Sequence, residues 1–257
     1  MKLSIITVNL NNRAGLEKTM ESVLRQSFVS FEYLIIDGGS TDGSVDVVKE
    51  RVDRLAYWVS EADRGVYHAM NKGIERATGE YLLFLNSGDF LCEADSLSHV
   101  SRYLQDIDII YGNLKYDYGD RCWDSNYPDE LTFSYLYTHY IPHPASFIKR
   151  DLLNAYGGYE EKYKLCADWV FFIKAICIHG ARYFHLQKAI TVYDTSGISA
   201  KSDSQPLIQQ ERKRLLSEEF PFLEKDLFEL MELRDKFNKL KRSKAANWLN
   251  RLGWIDL

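Results

Sequence analysis

Three carboxylates sit where this sequence gives them room to act. Asp37 opens the loop Asp37-Gly38-Gly39-Ser40-Thr41-Asp42-Gly43, Asp89 closes the loop Asn86-Ser87-Gly88-Asp89, and Asp168 starts the apolar segment Asp168-Trp169-Val170-Phe171-Phe172-Ile173. Each suits a particular chemistry. Asp89 offers a hard oxygen ligand of the kind Mg²⁺ and Mn²⁺ prefer, and Gly88 lets a diphosphate and its counter-ion approach the backbone. Asp37 is placed to hydrogen-bond a base or ribose. Asp168, if it projects into a cleft, is a general base. Each also has a plainer reading. Asp89 caps a helix beginning near residues 93–96, Asp168 is an ordinary N-cap, and the 37–43 loop is a strand-to-helix turn. Neither loop is a known phosphate fingerprint, because G-x-G-x-x-G is absent and no Gly-Lys-Ser/Thr follows.

Regular elements must hold these loops. Residues 3–8, 33–36, 56–59, 81–85 and 107–111 are short apolar runs that read as buried strands. Between them, Leu16, Met20, Val23 and Leu24 share one helical face, and Val66, Ala69, Met70, Gly73, Ile74 and Ala77 share another. Alternation of strand and helix predicts a mainly parallel central sheet with helices on both faces, an α/β fold. The polar clusters follow the first, second and fourth strands, the edge at which open α/β sheets bind ligands. After residue 112 the pattern changes. Residues 114–118 and 121–123 flank Gly119-Asp120 as a hairpin, residues 168–178 read as a helix, and residues 189–193 as a strand. From Gln205 the chain is charged and helical. The expected organisation is a ligand-binding half (1–112), a second half with a small antiparallel region (113–204) and a helical tail (205–257).

Composition narrows the class. The chain has 257 residues, 46% of them hydrophobic, enough for a substantial core. Its net charge of −5 gives no support to a large nucleic-acid footprint. Cys92, Cys122, Cys166 and Cys177 form no C-x-x-C pair, which argues against structural zinc and fits a reduced, cytoplasmic setting. The apolar run at residues 3–8 is too short for a signal peptide or a membrane span. The end of the tail, with Lys239, Lys241, Arg242, Lys244, Trp248 and Trp254, is basic and aromatic. Two readings stay open for it: peripheral contact with the inner membrane face, or packing on the core or across a homodimer.

Five blocks in order resemble the family 2 glycosyltransferases, whose fold is called GT-A. They are Ser4-Ile5-Ile6-Thr7-Val8-Asn9, Ile36-Asp37 through Gly43-Ser44, Asp63-Arg64-Gly65, Ala69-Met70-Asn71-Lys72-Gly73, and Gly79-Glu80 through Gly88-Asp89. His143-Pro144-Ala145-Ser146-Phe147 and Ala167-Asp168-Trp169 resemble blocks of bacterial polysaccharide-assembling members. The resemblance implies an inverting transfer of sugar from a nucleotide diphosphate, a UDP-sugar ahead of a GDP-sugar, to a saccharide or lipid-linked acceptor in cell-surface polysaccharide synthesis. It further implies that Thr7, Asn9, Asp37, Ser87 and Gly88 line the nucleotide pocket, with Asp37 facing the base. Arg64 is then near the diphosphate, and Asn71 and Lys72 near the nucleotide or sugar. Asp89 is expected to hold Mn²⁺ or Mg²⁺, and Asp168 to be the base. Arg64 and Lys72 read equally as partners of nearby carboxylates or solvent, and Asn71 as a cap for neighbouring loops. His143 and Trp169 are acceptor contacts or packing residues, and residues 196–199 a loop over the donor. In one respect the chain departs from the family: Ser87 stands where the first carboxylate of the D-x-D motif belongs, so Asp89 is expected to hold the ion nearly alone. Two alternatives remain. A sugar nucleotidyltransferase usually carries an Arg/Lys-containing, Gly-rich first loop, which Asn9-Leu10-Asn11-Asn12-Arg13 is not. A non-catalytic binding module of the same fold is the other.

Overall fold

The apolar runs become the centre of one sheet. In the computed structural model, which describes residues 2–117, 122–197, 202–243, 248 and 250, β1 (Leu3–Asn9) is buried along its whole length. It pairs in parallel with β2 (Phe31–Asp37) on one side and β4 (Tyr81–Phe84) on the other. β3 (Tyr57–Ser60) extends the parallel set beyond β2. Burial on both faces explains why these strands read as continuous apolar runs and not as alternations. Leu3, Ile5 and Ile6 have no exposed surface, and each contributes roughly 1.5–3 kcal/mol by burial.

Helices supply the cover. α1 (Arg13–Leu24) begins at Asn12, whose side chain accepts a hydrogen bond from the Gly15 N–H, and it buries Leu16, Met20 and Val23. α2 (Ser44–Lys49) follows the loop after β2. α3 (Val66–Arg76) packs on β1 and β2. Gly73 permits that close approach, since a Cβ there would lie 2.5 Å from Ile6 Cγ2.

The second half joins the same sheet. β5 (Phe90–Leu91) follows β4 directly, α4 (Ser96–Ser101) comes next, and β6 (Ile109–Asp117) pairs with β7 (Cys122–Ser125) as the expected hairpin, although its turn at 118–121 lies outside the described residues. After α5 (Phe133–Thr138), β8 (Ser146–Lys149) runs antiparallel between β4 and β6. α6 (Arg150–Ala155) and α7 (Ala167–Ile173) follow, and the chain continues from α7 into a wider helical turn over Lys174–Ile178. β9 (Tyr183–Asp194) lies parallel to β6 and antiparallel to β5. The strand order is β3-β2-β1-β4-β8-β6-β9-β5. Residue 112 therefore falls inside β6, and residues on both sides of it share one sheet. This is an α/β fold whose parallel half carries the two polar loops.

The chain divides into two compact units, residues 1–208 and 209–257. α8 (Gln205–Glu219) spans that boundary. In the second unit α9 (Pro221–Arg242) starts on a proline, which suits a first helical turn. Pairs such as Lys236–Glu232 and Lys239–Asp235 run along it, while Phe222, Leu233, Phe237 and Leu240 are exposed. No helix among the described residues is long and apolar enough to cross a membrane. Most of the basic, aromatic end, and residues 198–199 of the loop expected over the donor, lie outside the described residues.

Candidate active site

Parallel pairing sets Asn9 beside Asp37 at the carboxyl edge of the sheet. Asp37 is fully buried. Its Oδ1 accepts from Asn9 Nδ2 (2.7 Å) and Ser40 Oγ (2.6 Å), and its Oδ2 from the N–H groups of Gly39 (3.1 Å) and Ser40 (2.8 Å) and from Ser60 Oγ (2.6 Å). Burial pushes the carboxyl up, but the hydrogen bonds from Ser40, Ser60 and Asn9 outweigh it and hold the pKa below its ordinary value. Asp37 thus fixes the shape of its own loop. Thr7 is also fully buried, donating to the Leu85 carbonyl (2.8 Å) and accepting from the Tyr33 hydroxyl (2.9 Å). Thr7, Asn9 and Asp37 form the floor of the edge.

The chain leaves β4 through a turn held from below. The Ser87 N–H bonds the Val8 carbonyl (3.1 Å), and the Ser87 carbonyl accepts from Asn12 Nδ2 (3.0 Å). Gly88 has φ +108, a region that favours glycine. Thr19 of α1 is the hinge pin: its hydroxyl accepts from the Gly88 N–H (3.0 Å) and donates to the Asp89 carbonyl (2.6 Å). Asp89 does not cap α4, whose N-cap is Asp95. Only 4% of Asp89 is exposed. Burial raises its pKa to about 8, with the hydrogen bond from the Asp194 N–H opposing and the Asp194 charge adding to the rise.

Asp194, the last residue of β9, is the group sequence reasoning missed. Its N–H donates to Asp89 Oδ1 (2.9 Å). Its own carboxylate overhangs Gly88 so closely that a Cβ at 88 would lie 2.4 Å from Asp194 Oδ2. A second carboxylate therefore reaches the turn from across the sheet, although position 87 is serine. Asn86 Oδ1 is a buried acceptor with no partner among the described residues. No Lys, Arg or His among those residues pairs with Asp89 or Asp194. An all-oxygen donor set with two carboxylates and no counter-cation fits Mg²⁺ or Mn²⁺.

The cations expected near the donor are engaged elsewhere. Arg64 reaches Glu161, with Nε to Oε2 at 3.2 Å and Nη2 to Oε2 at 3.1 Å, and stays largely exposed. Lys72 pairs with Asp63 (2.6 Å) and Glu61 (2.8 Å); burial lowers its pKa, and those two carboxylates reverse the effect and raise it. Asn71 exchanges two hydrogen bonds with the backbone of Tyr159 (2.8 and 2.9 Å), so it ties α3 to the segment before α7.

That tie helps to place Asp168. The N-cap of α7 is Cys166, not Asp168, which sits inside the first turn. Asp168 Oδ1 accepts from the Tyr67 hydroxyl at 2.6 Å, and its Oδ2 lies 4.0 Å from His143 Nδ1. His143 is buried, stacks on Phe84 (5.1 Å) and shares a hydrogen bond with the Tyr159 hydroxyl (2.8 Å). Burial lowers its pKa, against a smaller opposing pull from Asp168. It therefore backs the carboxylate as a neutral ring. Trp169 is 4% exposed and donates its indole N–H to the Leu136 carbonyl (2.6 Å), packing α7 on α5. The side chains of both candidate acceptor contacts thus lie inside the protein.

Comparison with known proteins accounts for this layout. The sequence profile described as "Glycosyl transferase family 2" matches residues 4–160. A PGL/p-HBAD biosynthesis glycosyltransferase of Mycobacterium bovis (strain BCG / Pasteur 1173P2) is 34% identical over 192 residues, covering 71% of this chain and 73% of the relative. A putative teichuronic acid biosynthesis glycosyltransferase, TuaG of Bacillus subtilis (strain 168), is 41% identical over 90 residues, 34% of this chain and 36% of that protein. Among solved structures, S. aureus TarS 1-349 in complex with UDP has the same fold, with a TM-score of 0.66 at 23% identity, covering 84% of this chain; this chain spans 64% of that one. The mannosyltransferase PcManGT from Pyrobaculum calidifontis, in complex with GDP-Man and Mn²⁺, aligns at a TM-score of 0.60 and 16% identity, over 98% of this chain and 84% of its own. The chain is a glycosyltransferase and belongs to glycosyl transferase family 2.

Proposed function

We propose that this enzyme transfers a sugar from a UDP-sugar, with inversion at the anomeric carbon, to a saccharide or lipid-linked saccharide of the cell surface, and that it needs Mn²⁺ or Mg²⁺. The observation that carries the reading is the pair Asp89 and Asp194 at the sheet edge: the Asp194 backbone N–H donates to Asp89 Oδ1 at 2.9 Å, the Asp194 carboxylate overhangs Gly88, and no Lys, Arg or His among the described residues pairs with either side chain. A nucleotide diphosphate brings still more negative charge, so the site calls for a divalent ion.

Asp89 and Asp194 hold that ion, which when bound supplies Lewis-acid stabilisation of the departing diphosphate. The floor of Thr7, Asn9 and Asp37 keeps the nucleotide loop in shape, with Asp37 beneath the uracil. Ser87 and Gly88 border the diphosphate. Arg64 adds positive charge to the leaving group when it exchanges Glu161 for phosphate. Asp168 accepts the proton of the acceptor hydroxyl. The acceptor oxygen then bonds the anomeric carbon as the bond to the diphosphate breaks, and a single base opposite the leaving group inverts the configuration. UDP is favoured over GDP by the UDP- and UDP-GlcNAc-bound TarS structures, and a cell-surface product by the teichuronic acid and PGL/p-HBAD relatives.

Calorimetry with UDP, with and without Mn²⁺, tests the site. Binding that strengthens with the ion is expected, and binding indifferent to it in both UDP and GDP removes the metal reading. A screen of UDP- and GDP-sugars for metal-dependent hydrolysis, with the product anomer followed by NMR, identifies the donor and tests inversion.

A further inference from the structure

Asp168 has a partner that the transfer chemistry above leaves unused. Tyr67 lies on α3, 101 residues before it in sequence, and its hydroxyl donates to Asp168 Oδ1 at 2.6 Å. Tyr67 is 6% exposed. Its ring lies against Tyr159, with centroids 5.6 Å apart, so it has little freedom to turn away. Burial and then the Asp168 charge push its pKa well above the ordinary phenol value. The hydroxyl therefore keeps its proton and serves only as a donor.

Among the described residues, the groups recorded as facing the carboxylate besides Tyr67 are His143 and Tyr159. His143 stands 4.0 Å from Oδ2, beyond hydrogen-bond reach, and burial keeps it neutral. Tyr159, raised in pKa by burial and by Asp168, stays a phenol. Cys166, two residues earlier, is the N-cap of α7. No cation among the described residues orients the carboxylate, and the Asp168 side chain is 27% exposed. Among the described residues, Oδ1 is held by a fixed donor while Oδ2 has no hydrogen-bond donor.

We propose that Tyr67 is the positioning residue of the catalytic base: it fixes the rotation of the Asp168 carboxylate so that Oδ2 meets the acceptor hydroxyl. The proton of the acceptor passes to Oδ2, the acceptor oxygen takes the anomeric carbon, and the electron pair of the broken bond leaves with the nucleoside diphosphate. Tyr67 gives up no proton in this step. A side chain that orients a base contributes by holding reacting atoms in line. The inference rests on the reading of Asp168 as the base.

The test uses the full-length protein, the nucleotide sugar that the screen shows to be turned over, and water as acceptor. Tyr67→Phe keeps the ring and removes only the hydroxyl. Its kcat is expected to fall about 10–100-fold, a loss of orientation smaller than removal of the base itself. Its donor KM and its Mn²⁺-dependent affinity for UDP are expected to stay at wild-type values. Added to Asp168→Asn, the change costs nothing further in kcat, since both act on one step. If Asp168→Asn is inactive yet Tyr67→Phe keeps the wild-type kcat, the Tyr67 inference fails alone. An equal further loss in the double variant also overturns it, by showing that Tyr67 acts elsewhere. If Asp168→Asn keeps full turnover, the base assignment falls and takes the Tyr67 role with it.

Discussion

Asp194 donates its backbone N–H to the carboxylate of Asp89 at 2.9 Å across 105 residues of sequence. The link sets a strand end from the second half of the sheet on the turn that closes the first. Loss of either carboxylate is expected to weaken Mn²⁺ binding. Asp89→Asn should abolish the ion's effect on UDP affinity, and Asp194→Asn should reduce it about 10–100-fold, the range seen when groups supporting a metal site are removed. Gly88→Ala should resemble Asp194→Asn, because its Cβ would displace the Asp194 carboxylate and strain a backbone at φ +108. Electron paramagnetic resonance titration of Mn²⁺ measures all three, and wild-type affinity in Asp194→Asn would restrict the ion to Asp89.

Removing the proposed base should separate binding from chemistry. Asp168→Asn is expected to lose about 10²–10⁴-fold in kcat while binding UDP and Mn²⁺ as the wild type does. Single-turnover kinetics beside calorimetry check both halves. Full turnover in the variant would sink the assignment.

Arg64 and Glu161 form an exposed pair, and such pairs contribute about 0–1 kcal/mol to stability. Glu161→Gln should therefore leave the melting temperature nearly unchanged and, by releasing Arg64, tighten UDP binding several-fold. Arg64→Ala should loosen it. An unchanged Kd in both variants would take Arg64 out of the diphosphate site.

Thr19 holds the Gly88–Asp89 turn with one hydroxyl. Thr19→Val keeps the shape and leaves a buried N–H and carbonyl unsatisfied, a cost of about 1–3 kcal/mol. Urea unfolding measures it. The variant should also show weaker metal-dependent UDP binding, and a loss of stability with intact UDP binding would make Thr19 a core residue only.

His143 gives the fold a dependence on pH. Burial depresses its folded pKa below the unfolded value of about 6.5. Its neutral form is therefore fully stabilising above about pH 6.5, and that stability is lost as pH falls toward the folded value, since the unfolded chain takes up the proton first. Urea midpoints at pH 7.5 and 5.5 should differ less in His143→Phe than in wild type. Equal differences would assign the effect to other groups.

Much of the layout was legible because it is local. Apolar runs announced β1, β2 and β4, and the glycine-rich loops after them marked the edge. Burial was less legible. Thr7, Asn9 and Asp37 are polar residues at strand ends, and strand position alone does not tell a pocket lining from a floor whose side chains hydrogen-bond within the protein. Asp194 was invisible for another reason: its neighbour Asp89 is set by strand order, which no local pattern encodes, and the insertion of antiparallel β8 beside β4 shifts every later strand. Tyr67 did leave a signal. It shares a helical face with Met70 and Ile74, at i+3 and i+7, and a tyrosine so buried must find a partner for its hydroxyl.

The long span between Asp89 and Asp194 also orders events in time. Chains leave the ribosome at roughly 5–20 residues per second, so Asp194 is added about 5–20 s after Asp89. Until then the first strands can assemble, but the carboxylate pair proposed for the ion is incomplete. On the proposed metal reading, a nascent chain gains its full hold on the ion only when β9 arrives, and transfer would stay coupled to closure of the whole sheet.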